Sequence, residues 1–179
     1  MAACLILLDR DGVLNKMVWN LVENIFDSPM GPSEASIAPG VPEALGRLTA
    51  AGYGLAIVSN QPAWAKGKSS RKNLEEAHAR ILELAQAEGG RILSSHLCWH
   101  RAEDGCGCRK PETGLLEAAL KQHPGFAVSE SWMVGDRVTD MQAGRALGLK
   151  TAFIAEPTAE SRRALEGMNL KVTFWARNL

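Results

Sequence analysis

Strand-length apolar runs recur along the chain at Cys4 to Leu8, Tyr53 to Ser59, Ile92 to Leu97, Ser131 to Val134 and Lys150 to Ile154, most of them separated by stretches of helical periodicity. Strands that alternate with helices join by crossover connections, which predicts a doubly wound (Rossmann-like) α/β parallel sheet with helices on both faces. The helical patterns cover Pro42 to Ala51, Ser70 to Glu88, Thr113 to His123 and Asp140 to Leu147. Pro42 suits a first turn, Ser70 an N-cap, and Gly52 and Gly148 follow last turns. In the longest helix Leu74, Ala77, Ile81, Leu84 and Ala85 keep helical spacing opposite Glu75, Arg80 and Glu83, so that stripe belongs to the core. Ala159 to Gly167 and Leu170 to Ala176 read as a further helix and an edge strand. Asn15 to Ala38, without periodicity, reads as a loop. A chain of 179 residues is expected to form a single domain over residues 1–179.

Charge narrows the possible partners. Twenty Lys and Arg offset twenty Asp and Glu, so no global field would hold a nucleic-acid backbone or an anionic membrane, and an anionic ligand must be captured locally. The run ending at Leu8 is too short to span a bilayer and lacks the basic front of a signal peptide. A cytoplasmic monomer is expected. Cys98, Cys106 and Cys108 crowd together with His100, a pattern that points to metal rather than disulfides. Three thiolates and one imidazole make a full tetrahedral set for structural Zn²⁺.

In doubly wound sheets ligands bind at the carboxyl ends of the strands. There the first strand delivers Asp9-Arg10-Asp11-Gly12, the second Ser59-Asn60-Gln61, and the fourth Gly135-Asp136-Arg137-Val138-Thr139-Asp140. Lys110 follows the cysteine segment in Arg109-Lys110-Pro111. Each piece has an ordinary alternative: a turn aspartate, a turn Ser or Asn, a solvated lysine, a helix cap. All four together, in order along one sheet, are not explained that way. Mg²⁺, which prefers hard oxygen ligands, accounts for the paired carboxylates.

In these four motifs the sequence resembles the haloacid dehalogenase (HAD) superfamily of phosphohydrolases. The resemblance implies that Asp9 is the nucleophile and forms an aspartyl-phosphate, and that Asp11 is the general acid/base. It also implies that Ser59 and Lys110 hold the phosphate, and that Mg²⁺ is bound by Asp9, the Asp11 backbone carbonyl and Asp136, with Asp140 supporting them. The cysteine loop ahead of Arg-Lys-Pro, with Asp-Arg-Asp-Gly-Val-Leu-Asn, is similar to the histidinol-phosphate and heptose-bisphosphate phosphatase branch (HAD-IIIA type), which lacks a large cap domain.

Neither Asn15 to Ala38 nor the cysteine loop is long enough to fold as an independent lid. The resemblance places Asn60, Gln61, Lys66 and Arg109 at the substrate. Trp64 and Lys66 stand where heptose enzymes show Gly-Ile-Ala-Arg-Gly, and Trp99 replaces a proline between the first two zinc ligands. Lys66, Arg109 and Lys110 exceed what one phosphate needs, so a small phosphorylated metabolite with a second anion is expected, such as D-glycero-D-manno-heptose 1,7-bisphosphate. Histidinol phosphate is the alternative. From another class, a phospho-acceptor receiver domain also pairs Asp, Mg²⁺ and Lys, but it has no use for Asp11 or a zinc loop. His78 and His123, in helical patterns, are expected at the surface.

Overall fold

The computed structural model describes residues 4–156 and 158–179. In chain order its elements are β1 (Leu5–Leu8), β2 (Val18–Asn20), β3 (Ile25–Asp27), α1 (Val41–Ala50), β4 (Gly54–Asn60), α2 (Arg71–Ala85), β5 (Ile92–Cys98) and α3 (Gly114–Gln122). They continue with β6 (Trp132–Gly135), α4 (Val138–Ala146), β7 (Lys150–Ile154), α5 (Ala159–Gly167) and β8 (Phe174–Ala176). Six strands form one sheet in the order β5-β4-β1-β6-β7-β8, every neighbouring pair parallel. The doubly wound α/β sheet expected from the alternation is the fold observed.

Strand β1 lies at the centre, between β4 and β6, and all four of its residues are buried. Alternation along it divides two cores. Ile6 and Leu8 pack with Val41, Leu45 and Ala85 on one face, while Leu5 and Leu7 pack with Leu116, Ala119 and Ala143 on the other. A strand covered on both sides must be apolar throughout, as Leu-Ile-Leu-Leu is. Each such side chain is worth about 1.5–3 kcal/mol of burial. β1 is therefore a rigid stem whose first residues beyond the core, Asp9 to Asp11, are held where it ends.

Departures from the expected elements have local causes. Helix α4 begins at Val138, two residues before Asp140, because the Asp140 carboxylate accepts from the Arg137 N–H (3.0 Å) as a residue of the first turn. Ser70 caps α2, its hydroxyl accepting from Asn73 N–H (3.1 Å). The stretch Asn15 to Ala38 is not structureless. It holds the antiparallel hairpin β2–β3, in which Trp19 pairs across with Phe26 edge to face at 4.9 Å. Among the described residues no helix is long and apolar enough to cross a membrane.

Candidate active site

Three carboxylates meet at the carboxyl ends of β1 and β6. Asp9, Asp136 and Asp140 each offer an oxygen within 4.8 Å of the others. Lys110, itself buried, reaches in from the far side, with Nζ 3.1 Å from Asp9 Oδ1 and 2.6 Å from Asp140 Oδ1. The ammonium also donates to the Val58 carbonyl at 2.7 Å. Gly12 permits the convergence. Its φ of 84° is left-handed, and a Cβ there would collide with the Asp136 carboxylate.

Burial, then repulsion from Asp9 and Asp140, pushes Asp136 up to about 7. Asp140 rises to about 6, through burial first, although Lys110 opposes it. Burial works to lower Lys110, but Asp9 and Asp140 outweigh it and the ammonium is stabilised. Asp9 Oδ1, Asp136 Oδ1 and Asp140 Oδ1 are buried without a hydrogen bond among the described residues. Asp9 Oδ1 and Asp140 Oδ1 share the single Lys110 ammonium, while Asp136, half-buried, has no ion pair among the described residues, so three carboxylates meet one cation and a hard divalent ion would balance the set.

Asp11 stands outside this trio. Arg10, almost wholly buried, donates to its Oδ1 from Nε (3.0 Å) and Nη2 (2.9 Å), while Gln61 Nε2 (2.6 Å) and Ser28 Oγ (2.7 Å) donate to its Oδ2. Burial works to raise its pKa, but Arg10 first, then Ser28 and Gln61, hold it below the usual carboxylate range. Gln61, expected to face substrate, is instead buried between Asp11, Arg10 and Ser59. Asn60 lines the cleft, but its amide is engaged by the Lys110 backbone. Sequence reasoning missed Ser28, which arrives from the hairpin segment.

The cysteine loop closes on itself. Sulfur–sulfur distances are 3.2 Å (Cys98–Cys108), 3.4 Å (Cys106–Cys108) and 3.6 Å (Cys98–Cys106). His100 Nδ1 lies 3.3 Å from Cys108 Sγ and 3.6 Å from Cys98 Sγ. A tetrahedron with zinc–sulfur bonds of ~2.3 Å has edges of about 3.8 Å, so the four atoms stand close to that spacing. All three thiols are free. Burial, then Cys98 and Cys106, push Cys108 up to about 12, while Cys106, which burial works to raise, is brought down to about 7 by hydrogen bonds from its neighbours; a cation among the sulfurs would favour their ionised forms.

Between these parts opens a cleft of about 880 Å³. Asp9, Asp11, Ser59 and Lys110 form its floor, Cys106, Gly107 and Arg109 one wall, and Lys66 and Lys68 another. Residues Glu23 to Ser28 line its mouth apart from Asn24. Lys68 ties that mouth down, pairing with Asp27 (2.7 Å) and Glu23. Lys66 has no ion-pair partner among the described residues. Arg137, exposed and also lining the cleft, was not singled out in the sequence.

His78 departs from expectation. Both its ring nitrogens are buried without a hydrogen bond among the described residues, and burial, then Arg10, lower it to about 4 against the opposing pull of Asp11. His123 is half-buried, its Nε2 2.9 Å from Ser94 Oγ.

A parallel sheet whose strand ends gather carboxylates, a buried lysine and a hydroxyl around an open cleft defines a hydrolase that handles phosphate. The family model described as HAD-hydrolase-like matches residues 107–179. The chain is 34% identical over 154 residues to the D-glycero-β-D-manno-heptose-1,7-bisphosphate 7-phosphatase of Pseudomonas aeruginosa, covering 86% of this chain and 82% of that one. It is 36% identical over 146 residues to a histidine biosynthesis bifunctional protein of Legionella pneumophila, covering 81% of this chain but 39% of that one. The crystal structure of D,D-heptose 1,7-bisphosphate phosphatase from B. bronchiseptica, complexed with magnesium and phosphate, superposes with a TM-score of 0.79 at 28% identity, covering 97% of this chain and 91% of that one. The chain belongs to the haloacid dehalogenase-like hydrolases and is a phosphatase among them.

Proposed function

We propose that the chain is a cytoplasmic, monomeric Mg²⁺-dependent phosphatase, one catalytic domain over residues 1–179, that removes one phosphate from a small sugar bisphosphate such as D-glycero-D-manno-heptose 1,7-bisphosphate. The observation that carries the reading is the trio Asp9, Asp136 and Asp140, with Lys110 paired to Asp9 and Asp140, at a cleft that Lys66 and Arg109 also line. Relatives with heptose-bisphosphate phosphatase names support the substrate class.

Mg²⁺ bound by Asp9, Asp136 and the Asp11 carbonyl would offset the repulsion between an anionic nucleophile and a phosphate dianion. Asp9 attacks phosphorus, and the bond to the leaving oxygen breaks as an aspartyl-phosphate forms. Asp11, which its donors hold ionised in the free site, has to take up a proton before it can give one to that oxygen. It then accepts one from the water that attacks phosphorus, breaks the bond to Asp9 and releases phosphate, work typically worth ~10²–10⁴-fold. Ser59 and Lys110 hold the transferring phosphoryl oxygens, and Asp140 keeps Lys110 charged. Lys66 and Arg109 grip the group that does not react. Cys98, His100, Cys106 and Cys108 would hold Zn²⁺, which would pin the loop that presents Arg109 and Lys110.

Histidinol phosphate is the second reading, supported by the histidine-biosynthesis relative. Its amine would meet Lys66 and Arg109 with like charge. A panel of phosphate esters assayed with Mg²⁺ decides between them: the bisphosphate should give the highest kcat/KM, and a higher value for histidinol phosphate overturns the substrate reading.

A further inference from the structure

Trp64 and Trp99, two of the positions where the sequence leaves the heptose-enzyme pattern, do not line the cleft. Both lie against Arg71, the first residue of α2. The guanidinium carbon lies 3.8 Å from the Trp99 ring centroid and 5.8 Å from that of Trp64, both within the ~6 Å reach of a cation–π contact. Arg71 Nε donates to Glu75 Oε1 at 2.7 Å, one helical turn on, which fixes the guanidinium.

An arginine stacked on surface indoles usually adds a little stability and nothing more. Here the origin of the two rings matters. Trp99 stands between Cys98 and His100, in the loop that leads to Arg109 and Lys110. Trp64 belongs to a tight turn closed by Lys66 N–H to the Pro62 carbonyl, Gly67 N–H to Trp64 and Lys68 N–H to Ala63, all at 2.9 Å. That turn carries Lys66, and through Lys68 it also holds the hairpin. Ser69 Oγ adds a hydrogen bond to the Met30 carbonyl at 2.6 Å. The guanidinium is thus a further side-chain link, away from the strand ends, between two walls that the Gln61 N–H to the Cys98 carbonyl (2.6 Å) and Asn60 to Lys110 join at their base.

We propose that Arg71 is a positioning residue: lying against Trp99 of the cysteine loop and Trp64 of the Lys66 turn, it sets the separation of the two cationic walls that grip the second anion of the substrate. This deepens the sugar-bisphosphate reading and rests on it. The flat guanidinium suits the role because it can stack on an indole, which a lysine ammonium cannot do.

The test uses the metal-loaded enzyme with p-nitrophenyl phosphate and with heptose 1,7-bisphosphate. Arg71→Ala should raise KM for the bisphosphate about 3–10-fold with kcat within twofold, the loss of one or two cation–π contacts, and leave both constants for p-nitrophenyl phosphate unchanged. Arg71→Lys should not rescue it. In the Arg71→Ala background, Lys66→Ala should cost less than it does alone. Hydrogen exchange supplies a readout that needs no substrate: Arg71→Ala should speed exchange at residues 62–68 and 98–108 and leave β1 and β7 unaltered. Equal losses on both substrates, an unchanged bisphosphate KM, or unchanged exchange at residues 62–68 would each overturn the proposal. If the unaltered enzyme hydrolyses p-nitrophenyl phosphate but does not favour the bisphosphate, the substrate reading falls, and the exchange result alone decides the link between the walls.

Discussion

Asn60 and Lys110 hold each other through two hydrogen bonds of 3.0 Å, the Asn60 amide nitrogen donating to the Lys110 carbonyl and its oxygen accepting from the Lys110 N–H. The pair bridges two loops far apart in sequence, and it fixes the backbone from which the Lys110 ammonium reaches Asp9. A residue expected at the substrate thus orients the cation that faces the nucleophile.

Asn60→Ala removes both bonds and leaves the Lys110 backbone without these partners, a change worth about 1–3 kcal/mol. Hydrolysis of p-nitrophenyl phosphate is expected to fall about tenfold to a hundredfold in kcat/KM. Asn60→Asp keeps an acceptor for the N–H but loses the donor, and should fall between the parent and Asn60→Ala. Steady-state kinetics of the three proteins checks the order.

Asp9 and Asp11 should fail differently. Asp9→Asn should abolish phosphoryl transfer, since an amide is a poor nucleophile. Asp11→Asn keeps the nucleophile and loses the proton carrier, so a substrate with a good leaving group should give a burst of that group without turnover. Rapid-quench measurement of the burst distinguishes them, and equal residual rates in both variants contradict the roles assigned.

Purified protein should carry about one zinc per chain, coordinated by three sulfurs and one nitrogen. Structural zinc contributes ~10–16 kcal/mol in small zinc-finger peptides; in this protein the sheet has cores of its own, so stripping should loosen residues 98–110 without unfolding β1. Elemental analysis with hydrogen exchange before and after chelation measures both. Full activity from metal-free protein counts against the site.

His78 makes stability depend on pH. Its folded pKa, about 4, lies below the ordinary ~6.5, so the unfolded chain binds a proton that the native state refuses as pH falls. The native state therefore loses stability from pH 6.5 downward until the folded form also titrates near 4. Between pH 7.5 and pH 5 the loss from this one group is about 2 kcal/mol. His78→Leu should remove that difference, read as the denaturant midpoint at the two pH values. An identical pH dependence in both proteins would show that the imidazole is free to charge.

Much of this was readable in the chain, for reasons that differ by element. β7 matched its expected span, Lys150 to Ile154, because Gly148 sets it off from α4. The half-buried position of His78 was also readable: it lies four residues after Leu74 and three before Ile81, on the apolar stripe itself, but its polarity argued for solvent. The hairpin β2–β3 was not readable. Its strands are three residues long, and Trp19 and Phe26 look toward water, so no alternation between core and solvent marks them. Nor could the sequence show Asn60 bound to Lys110, or Ser28 bound to Asp11, since each pair meets only after the sheet has formed.

The hairpin leans on the rest of the molecule through few side chains, with Lys68 gripping its Glu23 and Asp27 and Ser28 touching Asp11. Substitutions in this short stretch can therefore reshape the cleft mouth that it lines while Asp9 and Asp136 stay fixed at their strand ends and Lys110 in its loop. A replacement hairpin has to meet only two demands, an acid for Lys68 and a hydroxyl for Asp11. The mouth of the cleft can thus vary in shape while the groups that act on phosphate keep their places.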